Sequence, residues 1–507
     1  MPSLLSKTCM WLAHRTEALR SRSILRSLLG NAMWSLWAKI VVQFTQLATF
    51  IVAARTLESA EFGLFAYVAA IVALLVILAE GGWSEFVMKT HHDGDRLDQI
   101  ATVAIVSGVT AMATGLCVAL LLGFYFQLTH VGLLVAMFSI WLLPTPFGSV
   151  CEGVFIADGR LRDLSMIKIV AELCGTAVAI LGLLHGMNIF ALVAGRLASQ
   201  VVSVIAYALV LRWLPKLGVR SRFLHELFEF SRHIVSNRLI VFLRSYSGTL
   251  VVGSVLGLTE AGYYRAAERI VSAFSEVVGE PARQLAWVVL RKGAVSGSSP
   301  PGASPEIGAK ATTFVVVLMA ISAPIYIGLA LMSGMLIHLA LGDGWAPAAI
   351  LVSLLSVKQI LLVPGYVTEP LLSLTGTIRK MPAAILVNSL VSVGLIIALS
   401  PFGMVAAAAG QCAAALFSFA VSAWLQSLYG AVNWSRILRG CAHPAVAVIA
   451  MALTIFLLGD VAGQSVMNGF TTTFLQVLAG GLVYIGTLAL LHKVAGGLLP
   501  VTVKEQG

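Results

Sequence analysis

In the stretch GYYRAAERIVSAFSEVVGEPAR (Gly262–Arg283), Arg265, Arg269, Ser272, Glu276, Gly279 and Arg283 recur at intervals of three and four, which puts them on one face of one helix. A second face carries His233, Asn237, Arg244 and Ser247, and a third carries Lys39, Gln43 and Gln46; Lys358 stands in a long apolar run. A guanidinium offers a planar pair of N–H donors that matches two phosphate oxygens, and an ammonium adds a point charge. Cations set this way in apolar helices suit an anionic, polar ligand held in a wet cavity, and their excess argues against a cationic one. The competing reading is that they lock helices together, Arg265 with Glu268 or Arg269 with Glu276. For Arg265 both readings stay open. Arg244 and Lys358 have no acid within a turn of their own helix, which favours the cavity. His233, beside Arg232 at a span end, reads as interfacial.

Such residues have to be positioned inside a membrane. The chain has 507 residues, is 59% hydrophobic and 11% charged, and has a mean hydropathy of +0.93. That leaves too little polar surface for a soluble protein of this length. Apolar runs of about 20 residues between charged or Gly/Pro breaks predict fourteen spans, near 32–54, 62–88, 100–126, 131–157, 166–184, 190–211, 233–256, 263–289, 311–337, 346–372, 383–400, 405–428, 443–460 and 471–492. At 1.5 Å per residue, Arg244 and Lys358 lie roughly 17–18 Å from one end of their spans and Lys39 about 10 Å from the inner end. A Lys or Arg at the centre of a span costs about 2.5–3.5 kcal/mol on insertion scales, so such a residue faces water or a partner and not lipid.

Lys and Arg gather in the loops on the side shared by both termini, while the opposite loops hold Arg55 alone. By the positive-inside rule both termini are expected in the cytoplasm. The cations left over, Lys39, Arg196, Arg238, Arg244, Arg265, Arg269, Arg283 and Lys358, fall within spans. The net charge of +10 is spread through the inner loops, so it reads as a topology signal and not as a nucleic-acid footprint.

The chain repeats itself. EFGLFAYVAAI (Glu61–Ile71) aligns with EAGYYRAAERI (Glu260–Ile270), Gly63 falling on Gly262 at an offset of 199. CEGVFIADGRLR (Cys151–Arg162) aligns with TEPLLSLTGTIR (Thr368–Arg379) at an offset of 217, placing Glu152 on Glu369, Gly159 on Gly376 and Gly186 on Gly403. Equivalent positions are six spans apart, so the halves share one orientation, as parallel repeats do. The Gly159 and Gly376 loops are expected to be equivalent inner turns.

Cys9, Cys117, Cys151, Cys174, Cys412 and Cys441 show no paired spacing, so neither a disulfide framework nor a metal site is expected. No phosphate-binding loop, HExxH or nucleophile elbow is present; no cofactor and no enzymatic activity are expected. The basic segment LLSKTCMWLAHRTEALRSRSILRSLLGN reads as an inner-surface helix and not a cleaved signal. The connector 212–232, with Phe223, Leu224, Leu227 and Phe228 on one stripe, is expected to lie along the inner leaflet. The Ser/Pro/Gly-rich GAVSGSSPPGASPE reads as a flexible inner loop.

The stretches NAMWSLWAKIVVQFTQLATFIVAARTLESAEFGLFAYVAAIVALLVILAEGG, VVGSVLGLTEAGYYRAAERI and GDGWAPAAILVSLLS through LLSLTGTIRK resemble the bacterial lipid-linked oligosaccharide flippases. These belong to the multidrug/oligosaccharidyl-lipid/polysaccharide exporter superfamily, with the multidrug extruders and lipid II flippases. The resemblance implies two six-helix bundles that rock between inward- and outward-open states. It also implies a substrate of undecaprenyl pyrophosphate carrying a sugar repeat unit, moved from the cytoplasmic to the periplasmic leaflet. Spans thirteen and fourteen are an addition that lipid II flippases share, where they help form a groove for the lipid tail. The basic cavity departs from the extruders, which place acids there for cationic drugs.

The expected architecture is therefore an all-α polytopic membrane protein of fourteen spans in the bacterial inner membrane. Its parts are a cytoplasmic segment 1–31, a six-helix bundle 32–211, the connector 212–232, a second six-helix bundle 233–428, and spans thirteen and fourteen with a tail, 429–507. The expected substrate contacts are Lys39, Gln43, Asn237, Arg244, Arg269 and Lys358. Glu152, Glu268, Glu276 and Glu369 are candidates for ion coupling or ion pairs, Glu152 and Glu369 favouring nearby loop cations. The expected function is export for exopolysaccharide, capsule or O-antigen synthesis, with a polysaccharide polymerase and a chain-length regulator as possible partners. The alternatives are a lipid II flippase or drug exporter of the same fold and, further off, a polytopic polymerase or ligase, which would need catalytic groups in a substantial outer loop.

Overall fold

A computed structural model describes residues 34–35, 37–90, 94–213, 215–295, 305–463 and 469–494. The N-terminal segment 1–31, most of the Ser/Pro/Gly-rich loop and the C-terminal tail lie outside the described residues. Within them, regular structure is entirely helical. Among the described residues, twelve helical spans are long and apolar enough to cross a membrane: α1 (Trp37–Thr56), α2 (Ser59–Thr90), α3 (Gly94–Tyr125), α4 (Thr129–Ala157), α5 (Leu161–Leu184), α6 (Ile189–Leu211), α9 (Pro305–Leu331), α10 (Ala348–Leu374), α11 (Ile378–Phe402), α12 (Met404–Gly430), α13 (Trp434–Gly459) and α14 (Phe470–Val494). The chain is a multi-pass membrane protein. The other two expected spans lie in α7 (Ser221–Val255) and α8 (Leu258–Val295), of 35 and 38 residues. At 1.5 Å per residue each exceeds 50 Å, roughly, against a hydrocarbon core of about 30 Å. Their length suffices, but their charged faces keep them below the hydropathy of the other twelve.

By contact density the chain forms two compact units, Met1–Ala53 with Ile71–Arg238, and Ala54–Ala70 with Leu239–Gly507. The first unit is cored by Phe86, Val87, Ile100, Ala104 and Val150, to which α7 contributes Phe223 and Leu227. Residues 221–232, expected as part of a separate connector, are the first three turns of α7 and run without a break into span seven. Their apolar stripe divides: Phe223 and Leu227 are buried, whereas Leu224 and Phe228 are exposed. Phe86 meets Phe223 and Phe230 edge-on at 5.8 and 5.2 Å, which holds this end of the helix on the unit. The α5 and α6 backbones cross closely, because a Cβ on Gly175 or on Gly195 would stand 2.6 Å from the other's carbonyl oxygen. Small residues at such crossings replace a hydrophobic driving force that lipid does not supply.

The second unit is cored by Ala286, Leu290, Val315, Val316, Leu371 and Ile437. Here the starts of α2 and α8 touch backbone to backbone. A Cβ on Gly63 would lie 1.7 Å from the Leu258 carbonyl oxygen, and one on Gly262 would lie 2.1 Å from that of Ser59. Ser59 and Leu258, like Gly63 and Gly262, are separated by 199 positions, the offset at which the sequences align. Each contact is therefore the other's image, as in an isologous interface. Gly159 and Gly376 have φ of 69° and 76°, and Gly186 and Gly403 have 79° and 107°, a region nearly closed to other residues.

Candidate substrate site

In the second unit the charged residues stand on α8, α10 and the part of α7 from Leu239 onward. Tyr366 lies in a 3-10 turn, Val363–Val367, inside α10. Fully buried Gln426 of α12 steadies this turn by donating to the Pro364 carbonyl at 2.9 Å and to Thr368 Oγ1 at 2.8 Å. The Tyr366 hydroxyl accepts from Gln359 Nε2 at 2.8 Å, and its ring covers Gly279, whose added Cβ would stand 2.9 Å from that hydroxyl. One helical turn along α8, the Arg283 guanidinium stacks over the same ring, 4.8 Å from its centroid. Arg244 of α7 is exposed, and the groups whose fields reach it are Arg283 and Tyr366. Neither arginine forms an ion pair among the described residues.

Toward the start of α8 the lining is compensated. Glu268 accepts from Arg265 Nη1 at 3.3 Å and from Thr249 Oγ1 at 3.4 Å, and Arg265 stacks over Tyr246 at 5.2 Å. Arg265 thus pairs with Glu268, three residues further along its own helix. Lys358 is half-buried, and the charges acting on it include Glu268 and Arg244. Glu268 stands on α8, where it pairs with Arg265, and Lys358 forms no ion pair among the described residues. Arg269 is half-buried on the same face of α8.

The remaining expected residues lie elsewhere. Lys39 is exposed on α1, Gln43 is buried there with its Nε2 lacking a hydrogen-bond partner among the described residues, and Asn237 is exposed on α7; all three belong to the first unit. Glu152 is paired with Lys168 at 2.7 Å and accepts from the Tyr207 hydroxyl at 3.2 Å. Glu276 and Glu369 are exposed and form no ion pair among the described residues, so Glu369 lacks the loop cation expected for it.

Sequence reading overlooks one cluster. Arg238 bridges Glu80 at 2.7 Å and Glu85 at 2.8 Å, across the Gly81–Gly82 break, where φ is 53° and 83°. The available signal is two acids flanking a Gly-Gly pair in a membrane span. Removing one member of a buried ion group costs about 3–5 kcal/mol; partial solvation here lowers the expectation for Arg238→Met to roughly 2 kcal/mol. The melting temperature in detergent is expected to fall accordingly and to recover substantially in Arg238→Met combined with Glu80→Gln and Glu85→Gln. No recovery would mean that the arginine contributes by packing alone.

The fold is that of the MOP-superfamily transporters. It resembles the lipid II flippase MurJ in an inward closed conformation with a TM-score of 0.67 and 12% identity, over 92% of this chain and 99% of that one. A multidrug resistance MATE family transporter of the MOP superfamily, inward-facing, gives 0.59 and 15%, over 76% and 96%. Residues 52–350 match the polysaccharide biosynthesis protein family, and the chain belongs to it. The succinoglycan biosynthesis transport protein ExoT of Rhizobium meliloti (strain 1021) is 27% identical over 257 residues, 49% of this chain. The chain spans about half the length of that curated relative.

Proposed function

We infer that the chain is a flippase for lipid-linked oligosaccharide, carrying undecaprenyl-pyrophosphate-linked repeat units from the cytoplasmic to the periplasmic leaflet by alternating access. The observation that carries this reading is Arg244. It is exposed inside a helix of a membrane protein, a second arginine acts on it, and no carboxylate is paired with it among the described residues. A cation so placed is costly without an anion, and the family's work in polysaccharide biosynthesis supplies one in the pyrophosphate. Lys39, Gln43, Asn237, Arg269 and Lys358 are further contacts in this proposal, and both termini are cytoplasmic. Glu276, exposed without an ion pair among the described residues, is available to an ion that couples transport to a gradient. A polymerase and a chain-length regulator act downstream.

Depleting the protein in its host is expected to stop surface polysaccharide and to leave lipid-linked repeat units shielded from periplasmic probes. Repeat units that accumulate but are open to periplasmic enzymes would point to a polymerase. Accumulation of lipid II, or sensitivity to cationic drugs with normal polysaccharide, would move the protein to the other branches of the fold.

A further inference from the structure

We propose that Tyr484 of α14 locks a bend in α9: its hydroxyl supplies the hydrogen bond that Pro324 takes away, so that the last span holds the angle of a helix weakened at that point. Pro324 stands inside α9. A proline has no backbone N–H, so the Ala320 carbonyl, four residues back, loses its partner in the helix, and the ring crowds it. Inside a bilayer such a carbonyl has to be satisfied by a neighbouring group. The side-chain hydroxyls of α9 nearest to the proline, on Ser322 and Tyr326, do not donate to it. Tyr484 does, from its phenol oxygen to the Ala320 oxygen at 2.6 Å.

The tyrosine is itself held. It is buried in a core with Met451 and Ile455 of α13 and with Met332, just beyond the end of α9. A bare backbone brings α14 close to that core: a Cβ on Gly480, one turn before Tyr484, would stand 3.2 Å from Ile455 Cγ1. Ahead of Pro324, α9 buries Ala311 and Val315 in the core that holds Leu290 of α8 and Leu371 of α10. Pro324 thus lies where α9 passes from one core to the next, at the turn that lacks a helical hydrogen bond. Apolar packing spans the proline as well, through Leu318 and Tyr326, but such packing has no direction. The hydrogen bond from Tyr484 has one, and it ties the residue ahead of the proline to a side chain of the core behind it.

The test uses the full chain in lipid nanodiscs and a double-mutant cycle. Tyr484→Phe removes one oxygen and should lower the melting temperature by about 2–4 °C, the effect of leaving one carbonyl unbonded. On a Pro324→Ala background the same change should cost nothing measurable, because alanine brings back the N–H that the Ala320 carbonyl lacks. Spin labels at Ala309 and Leu331, both exposed and about 33 Å apart along a straight helix, read the bend once the six native cysteines are changed to alanine. Tyr484→Phe should broaden the distribution of that distance, and adding Pro324→Ala should narrow it again. Equal melting losses on the two backgrounds would mean that the hydroxyl does not act through the proline, and the lock is then overturned. So it is by an unchanged distance distribution in folded Tyr484→Phe, a result that decides the matter even if Pro324→Ala does not fold. None of these readouts involves substrate, so the bend lock is tested apart from the flippase reading.

Discussion

Arg244→Glu is expected to abolish export while the protein still reaches the membrane, leaving lipid-linked oligosaccharide on the cytoplasmic leaflet. The change converts an attraction for the headgroup into repulsion, so a loss of at least about 100-fold in polysaccharide per cell follows if one charge-assisted contact, worth about 1.5–3 kcal/mol, is replaced by a comparable penalty. Arg244→Lys keeps the charge without the bidentate fork and should export partially. A purely structural role would show differently, because an opposite charge introduced on a neighbouring helix would then restore folding and export together. Normal export by well-folded Arg244→Glu would remove this residue from the substrate path.

Valine at Gly63 or at Gly262 is expected to cost more stability than Arg238→Met. The added Cβ would overlap a carbonyl oxygen at 1.7 Å or 2.1 Å, and a backbone atom offers no rotamer by which to escape. Ordinary overpacking costs about 1–3 kcal/mol; the helices here must separate, so the loss should be on the order of 3 kcal/mol or more, read as reduced membrane yield and a lower melting temperature. Since the two contacts mirror each other, the two variants should lose alike. Alanine at Gly186 is the control: nothing stands within 4 Å of its Cβ, and only the φ of 79° is strained, at about 1–2 kcal/mol. Wild-type melting by Gly63→Val would show that the helices do not cross there.

Much of this architecture is legible along the chain. Apolar run length predicts fourteen spans because the bilayer's thickness sets a minimum that composition must meet; twelve of them are long and apolar enough among the described residues, and the 3.6-residue period reveals the charged face of α8 without knowledge of its neighbours. The offset of 199 is likewise visible as sequence, though nothing in it says that the two aligned glycines meet. The signal weakens where a polar face and a span coincide. In α7 and α8 the charges that mark the candidate site also lower the hydropathy by which a span is recognised, and nothing in residues 221–255 marks where a connector would end and a span begin.

The order of residues alone specifies which side chains share a helix face, where the chain can cross a bilayer and which cations lie too deep to reach water easily. Which of those cations are already neutralised depends on how the helices pack. Arg238 finds Glu80 and Glu85 more than 150 positions away, and Arg283 finds the Tyr366 ring of another helix, whereas Arg244 forms no ion pair among the described residues. The reason is physical: helical periodicity specifies the direction in which a side chain leaves its own helix, and the partner waiting there belongs to a helix that packing alone brings alongside.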